Sequence, residues 1–154
     1  MPKIDLADLP QTTRAGYPPP HDAPVQGRWY RPPAPASGLT EFGASHVTLL
    51  PGAWSSQRHW HLGEDEFLVM LAGEAVLVED DVETVLVAGD CAAFPRGVEN
   101  GHHLQNRGEE PCVFVVIGAG QQLGGGYSDI DMRFTADGRY ERKDGTPFPA
   151  TRAP

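Results

Sequence analysis

The sequence predicts an all-β fold, a sandwich or barrel, flanked by an extended arm at each end. Three observations carry this. Short runs rich in Val, Leu and Phe recur between clusters of turn residues. No segment of ten or more residues shows a helical apolar period. Nine of the fifteen prolines crowd into residues 1–36, where missing N–H donors and a fixed φ favour extended chain over helix.

The N-terminal arm, residues 1–38, holds Pro18-Pro19-Pro20 and Pro32-Pro33-Ala34-Pro35. It also carries Trp29 and Tyr30, so part of it is expected to pack on a surface. The barrel, residues 39–118, contains candidate strands at 41–50, 57–61, 67–71, 74–78, 84–87, 91–94, 102–106 and 113–117. Ala72-Gly73 is expected to join two of them as a tight hairpin, and Asp80-Asp81 another pair. Residues 118–126 contain five glycines and read as a flexible joint into the C-terminal arm, residues 119–154. There Ile130, Met132 and Phe134 alternate with Asp129, Asp131 and Arg133, a short strand, before the turn-rich run from Lys143 to Pro149.

The 154 residues fit one domain, and 40% hydrophobic with 21% charged residues exclude global disorder. No stretch reaches the roughly 18 apolar residues that span a bilayer. The segment Met1-Pro2-Lys3-Ile4-Asp5-Leu6 lacks a signal-peptide apolar run, so a cytoplasmic protein is expected. Two cysteines, Cys91 and Cys112, are too few for a disulfide framework and read as buried free thiols. The net charge of −9 is concentrated: residues 39–118 carry three cations against thirteen anions. No basic stripe is available for phosphate backbones or anionic lipid, which argues against nucleic acid and membrane partners.

The most specific local feature is His59-Trp60-His61 followed by Glu66. Residues two apart on a strand share a face, so the two imidazoles can converge, and a carboxylate opening the next strand can join them. Such a set suits zinc, iron, manganese or nickel. Two histidines on a solvated face are the plain alternative. Gln57 shares that face by the same alternation, as a fifth ligand, a substrate contact or a polar residue at the barrel mouth. Glu64 and Asp65 precede Glu66 as weaker carboxylate candidates. Arg58 and Arg96, the only cations near the cluster, are candidates for a substrate carboxylate or phosphate, though strand-edge arginines are commonly just exposed. Trp54 and Trp60 read as packing residues. His46 reads as a core or surface histidine, and His21 in the Pro-rich arm has no assigned role.

The run Gly52-x6-His59-x-His61-x4-Glu66-x6-Gly73 resembles the first motif of the cupin superfamily, with one residue more than usual before His59. The run Gly89-x5-Pro95-x-Gly97-x4-His102-x3-Asn106 resembles the second, with Asn100 where the family places its histidine. The surviving His-x3-Asn ending reads as a two-residue insertion. The resemblance implies a double-stranded β-helix, or jelly-roll barrel, holding one divalent metal through His59, His61, Glu66 and His102. His103 is the rival for the fourth position, and alternation allows only one of the two to face the cavity. It further implies a homodimer with contacts from the arms, and a small oxygen-rich ligand. The reaction stays open between a dioxygenase with iron, an isomerase, lyase or decarboxylase with zinc or manganese, and a non-catalytic sugar-binding barrel. Glu66 is the candidate general base.

Overall fold

A computed structural model describes residues 3–148 of the chain. Met1, Pro2 and Pro149 lie outside the described residues. All eight candidate barrel strands are present: β2 (Gly43–Leu49), β3 (His59–His61), β4 (Glu64–Ala72), β5 (Glu74–Val78), β6 (Glu83–Val87), β7 (Cys91–Phe94), β8 (His103–Gln105) and β9 (Cys112–Gly120). The arms add β1 (Arg28–Arg31), β10 (Gly125–Tyr127), β11 (Arg133–Phe134) and β12 (Tyr140–Glu141). Every pairing is antiparallel.

One sheet runs β1-β2-β9-β4-β7, a second β6-β5-β8, and a third β12-β11-β10-β3. The first two face each other as a jelly roll, with the core between them. Alternation assigns the faces: Leu68 and Met70 of β4 are buried against Phe114 of β9, Leu77 of β5 and Leu104 of β8. Phe67 and Leu71 point the other way and are 43% and 48% exposed. They share the outer face with the cross-strand neighbours of β4, among them Ile117, Val115 and Ala93. Buried Asn106 donates from Nδ2 to the carbonyls of Leu49 and Glu110, tying the end of β8 to β2.

Several expectations are corrected. Ala72-Gly73 is no hairpin, because β4 and β5 lie in different sheets and the chain turns a corner there. Gly73 has φ +70°, and a Cβ would press on the Pro111 carbonyl and Cys112. The stretch 118–126 is no joint. Its glycines let strands approach, since β10 lies flat on β3 and a Cβ on Gly125 would overlap the Trp60 carbonyl and the Phe134 ring. The Pro-rich arm is not wholly extended: Pro33–Ala36 forms one helical turn, α1, whose prolines sit in the first turn where an N–H is not needed. Cys91 is exposed on the outer face, opposite Val69, whereas Cys112 is buried.

The arms form a second apolar cluster of Tyr17, Val25, Tyr127 and Met132, with Phe134 and Tyr140 packed against it. Tyr17 stacks on Tyr140 at 5.6 Å and meets Tyr127 edge-on at 5.8 Å, so the two arms clasp each other over one end of the barrel. No helix among the described residues is long and apolar enough to cross a membrane. Gly125→Ala should destabilise the chain by about 1–3 kcal/mol through forced separation of β10 from β3. Urea unfolding checks this, and an unchanged midpoint would contradict the close-approach account.

Candidate metal centre

Strand β3 is only three residues long, and two kinds of backbone bond hold it. It pairs with β10 along its length, and His59 forms an isolated antiparallel bridge with His102. In that bridge the His59 N–H donates to the His102 carbonyl at 3.2 Å, and the His102 N–H donates to the His59 carbonyl at 3.0 Å. Directly opposed residues of an antiparallel pair send their side chains to one face. The two rings accordingly lie 5.1 Å apart, and His61, two residues along β3, places its ring 5.0 Å from His59.

Glu66 reaches this face from β4. Its Oε2 lies 2.9 Å from His102 Nε2, 3.4 Å from His61 Nε2 and 4.0 Å from His59 Nε2. The donor atoms of His59, His61 and Glu66 all fall within 4.8 Å of one another. His102 stacks flat on Phe94, with centroids 3.6 Å apart and an interplanar angle of 3°.

The protonation states follow from the surroundings. His59 Nδ1 lies 3.1 Å from the Gln57 carbonyl, which can only accept, so Nδ1 carries the hydrogen and Nε2 presents a lone pair to the cluster. Burial keeps that ring neutral, pushing its pKa down to about 3 against the smaller pull of Glu66. For Glu66, burial alone would raise the pKa. The His102 and His61 imidazoles facing its oxygen outweigh burial and hold the carboxyl well below the usual range. For His61, burial lowers and the Glu66 and Glu64 carboxylates raise, and the carboxylates win.

The donor set fits a divalent cation. His59 turns a lone pair toward an ionised carboxylate, and both nitrogens of His61 are buried without a hydrogen-bond partner. A positive charge between them satisfies both. His103 has no such opening: Nδ1 donates to the Ser56 carbonyl at 2.9 Å, and Nε2 sits 2.9 Å from the Gln105 side-chain amide. Both of its nitrogens are occupied, and its ring packs edge-on against Trp54.

The other sequence candidates lie elsewhere. Gln57 precedes β3, so the strand alternation does not extend to it; its amide donates to the His21 carbonyl, and its N–H donates to the Tyr17 hydroxyl, anchoring the N-terminal arm. Arg58 is consumed by Asp80 and Asp129. The Arg96 backbone N–H binds Asp65, and its side chain does not line the cavity. Glu64 sits behind His61 Nδ1 at 3.3 Å. His46 is opposite Val115 on the outer face, and neither cysteine joins the cluster.

The cluster lines a cavity of about 410 Å³, within the usual range for small-molecule sites. Much of its wall escaped the sequence reading because it comes from the arms: Arg14, Tyr17, Arg28, Tyr127 and Tyr140. The only available signal was the density of aromatic side chains in segments with no barrel strand of their own.

A family model described as a cupin domain matches residues 45–118. A solved structure from Silicibacter pomeroyi DSS-3, described as a sugar phosphate isomerase from a cupin superfamily, is 42% identical over 97% of this chain and 98% of that one, with a TM-score of 0.88. A structure from Acidithiobacillus ferrooxidans ATCC 23270, offered as a candidate sugar phosphate isomerase, is 25% identical over 82% and 81%, with a TM-score of 0.68. The polyketide cyclase RemF from Streptomyces resistomycificus shares the fold, with 18% identity over 77% of this chain and 79% of that one and a TM-score of 0.61. No curated protein sequence matches.

Metal affinity should weaken as pH falls, because a metal must displace the proton that the carboxylates favour on His61. With that pKa raised above the ordinary value of about 6.5, the loss should begin above this pH and deepen below it. Chelator competition with zinc from about pH 8 to about pH 6 measures it. A flat affinity would refute this protonation scheme.

Proposed function

The chain belongs to the cupin superfamily, and on that footing we propose that it is a metal-dependent isomerase of a small sugar phosphate, with His59, His61, Glu66 and His102 holding one divalent metal, zinc or iron before manganese or nickel. The observation that carries the reading is the His59–His61–Glu66 cluster at the wall of an open cavity lined by apolar and aromatic side chains with a few polar groups. Kinship over nearly the full length with a protein described as a sugar phosphate isomerase selects this chemistry over a dioxygenase.

When bound, the metal would supply Lewis-acid polarisation of a substrate carbonyl. The chain's own groups do the rest. Glu66 is the one carboxylate of the cavity wall among the described residues, so it is the group that can take a proton from the carbon beside the carbonyl and return it to the neighbouring carbon. All three imidazole contacts fall on Oε2, which leaves Oε1 for that transfer. With the hydroxyl proton of the carbon beside the carbonyl passing to the former carbonyl oxygen, the interconversion is redox-neutral and needs no further co-reactant. The Tyr17, Tyr127 and Phe134 rings close over the cluster and limit water around the exchanging proton.

A homodimer is part of the proposal. The apolar outer face around Phe67, Leu71 and Ile117 offers a second copy a flat sheet surface, while the arms pack on their own barrel. Sedimentation of the wild type against Phe67→Lys tests this, with a shift toward monomer expected.

His102→Ala should weaken zinc binding by about 10- to 100-fold, and His103→Ala far less, since both nitrogens of His103 are already engaged. Chelator competition reads the contrast, and equal losses would remove His102 from the set. Metal-loaded protein should interconvert an aldose phosphate and its ketose, with solvent deuterium entering at one carbon by NMR. Glu66→Gln should lower the rate by at least about 100-fold. Binding without interconversion under any of the four metals would replace the isomerase with a sugar-binding barrel.

A further inference from the structure

An isomerase of a phosphorylated sugar must also hold the phosphate, and neither cupin motif turns a free cation into the cavity: Arg58 is paired and Arg96 does not line it. Among the described residues, Arg58, Arg107, Arg133, Arg139 and Arg142 are all paired with carboxylates. Arg14, Arg28, Arg31 and Arg96 are not, and of these four Arg14 and Arg28 line the cavity. Both come from the N-terminal arm.

Arg28 is held in place without being neutralised. Its Nη1 donates to the Ser55 carbonyl at 2.8 Å and its Nη2 to the Arg14 carbonyl at 3.1 Å, while the guanidinium lies 5.0 Å from the Tyr30 ring centre. Carbonyls fix geometry but carry no counter-charge. Its Nε is buried with no hydrogen-bond partner, an arrangement that normally costs stability. The Arg14 guanidinium makes no hydrogen bond or ion pair among the described residues. In a chain of net charge −9, Arg14 and Arg28 are the two arginines among the described residues that line the cavity, and neither has a carboxylate partner.

The arginines and the candidate metal cluster line the same cavity, so one ligand with unlike ends can meet both. Ser55, whose carbonyl holds Arg28, is followed by Ser56, whose hydroxyl lies 3.2 Å from His59 Nδ1. The same two-residue segment thus touches both the guanidinium and a ring of the cluster, and all of them line one cavity.

We propose that Arg28, assisted by Arg14, forms the subsite that binds the substrate's phosphate, placing the sugar's carbonyl end at the His59–His61–Glu66 cluster. This rests on the sugar-phosphate reading for the identity of the ligand, but the anion site itself does not. The arm thereby becomes part of the specificity machinery: phosphorylated sugars are selected over neutral ones by a residue outside the barrel.

The test titrates the full zinc-loaded chain with inorganic phosphate by calorimetry, in wild type, Arg28→Met, Arg28→Lys and Arg14→Met, with zinc content and melting temperature measured alongside. Arg28→Met should weaken phosphate by about 10- to 100-fold, the worth of a charge-assisted hydrogen-bond pair, with zinc content unchanged. Arg28→Lys should recover part of the loss, and Arg14→Met should show a smaller one. In turnover, the Arg28→Met loss should fall on KM for the sugar phosphate, while binding of the neutral sugar stays as in wild type. No phosphate binding by the wild type, or equal binding by Arg28→Met, overturns the subsite. If Arg28→Met does not fold, undiminished phosphate binding in both Arg28→Lys and Arg14→Met overturns it instead. Turnover indifferent to Arg28 removes the subsite and leaves the isomerase. Arg28-dependent phosphate binding without turnover leaves the subsite and removes the isomerase.

Discussion

The paired backbone bonds between His59 and His102 are the constraint on which the site depends. They join β3 of the third sheet to the residue that precedes β8 of the second, and because opposed residues of an antiparallel bridge share a face, they also send both imidazoles into the same space. Glu66, the third residue of β4, then completes the cluster from the first sheet. Besides that bridge, β3 is held by β10 and by the Gly97 N–H, which donates to the His61 carbonyl at 2.7 Å, and β10 can pair with it only because Gly125 and Gly126 offer no side chains to Trp60. The C-terminal arm is therefore a structural condition of the metal centre. A three-residue strand without it would be an edge with one bridge.

The cluster's electrostatics are unbalanced in a specific direction. A neutral His59 and an ionised Glu66 face each other across 4.0 Å, and burial leaves little water to mediate between them. The carboxylates answer this by favouring a proton on His61. A divalent ion answers it better, since one charge at the centre of three donors serves the lone pair and the carboxylate together. A metal bound there would compete with that proton for one position, and the same buried carboxylate would favour either.

Much of the barrel was legible in the sequence because period-two alternation and turn chemistry are local. The strands from β2 to β9 follow from them, and Glu74–Val78 and Cys91–Phe94 do so to the residue. The errors have one source, that a glycine's role depends on what lies beside it in space. Gly73 and Gly125 read as turn and hinge along the chain, but a sheet corner and a strand contact explain them in three dimensions. The two histidines of the second motif were ambiguous for the same reason. Alternation shows that 102 and 103 face opposite ways, and only the bridge to His59 shows which way is inward. Gln57 looked like a neighbour of His59 and His61 because alternation was extended one step past the start of β3.

The arms were the least legible part and carry the most consequence. Their prolines remove donors that would otherwise need partners, while β1 and β10 pair with the barrel strands β2 and β3, so the arms lie there at little cost. What the arms bring is what the barrel lacks. The acidic segment 39–118 holds only three cations, and those whose side chains are paired, Arg58 and Arg107, are tied to carboxylates outside the cavity. Tyr17 is clamped between Tyr127 and Tyr140, and its hydroxyl accepts from the Gln57 N–H, so the position of the N-terminal arm is coupled to the loop that carries His59. The arm that delivers Arg14 and Arg28 to the cavity is thus registered against the metal ligands through two residues of backbone. Cavity charge and ligand geometry are set by the same contact between arm and barrel.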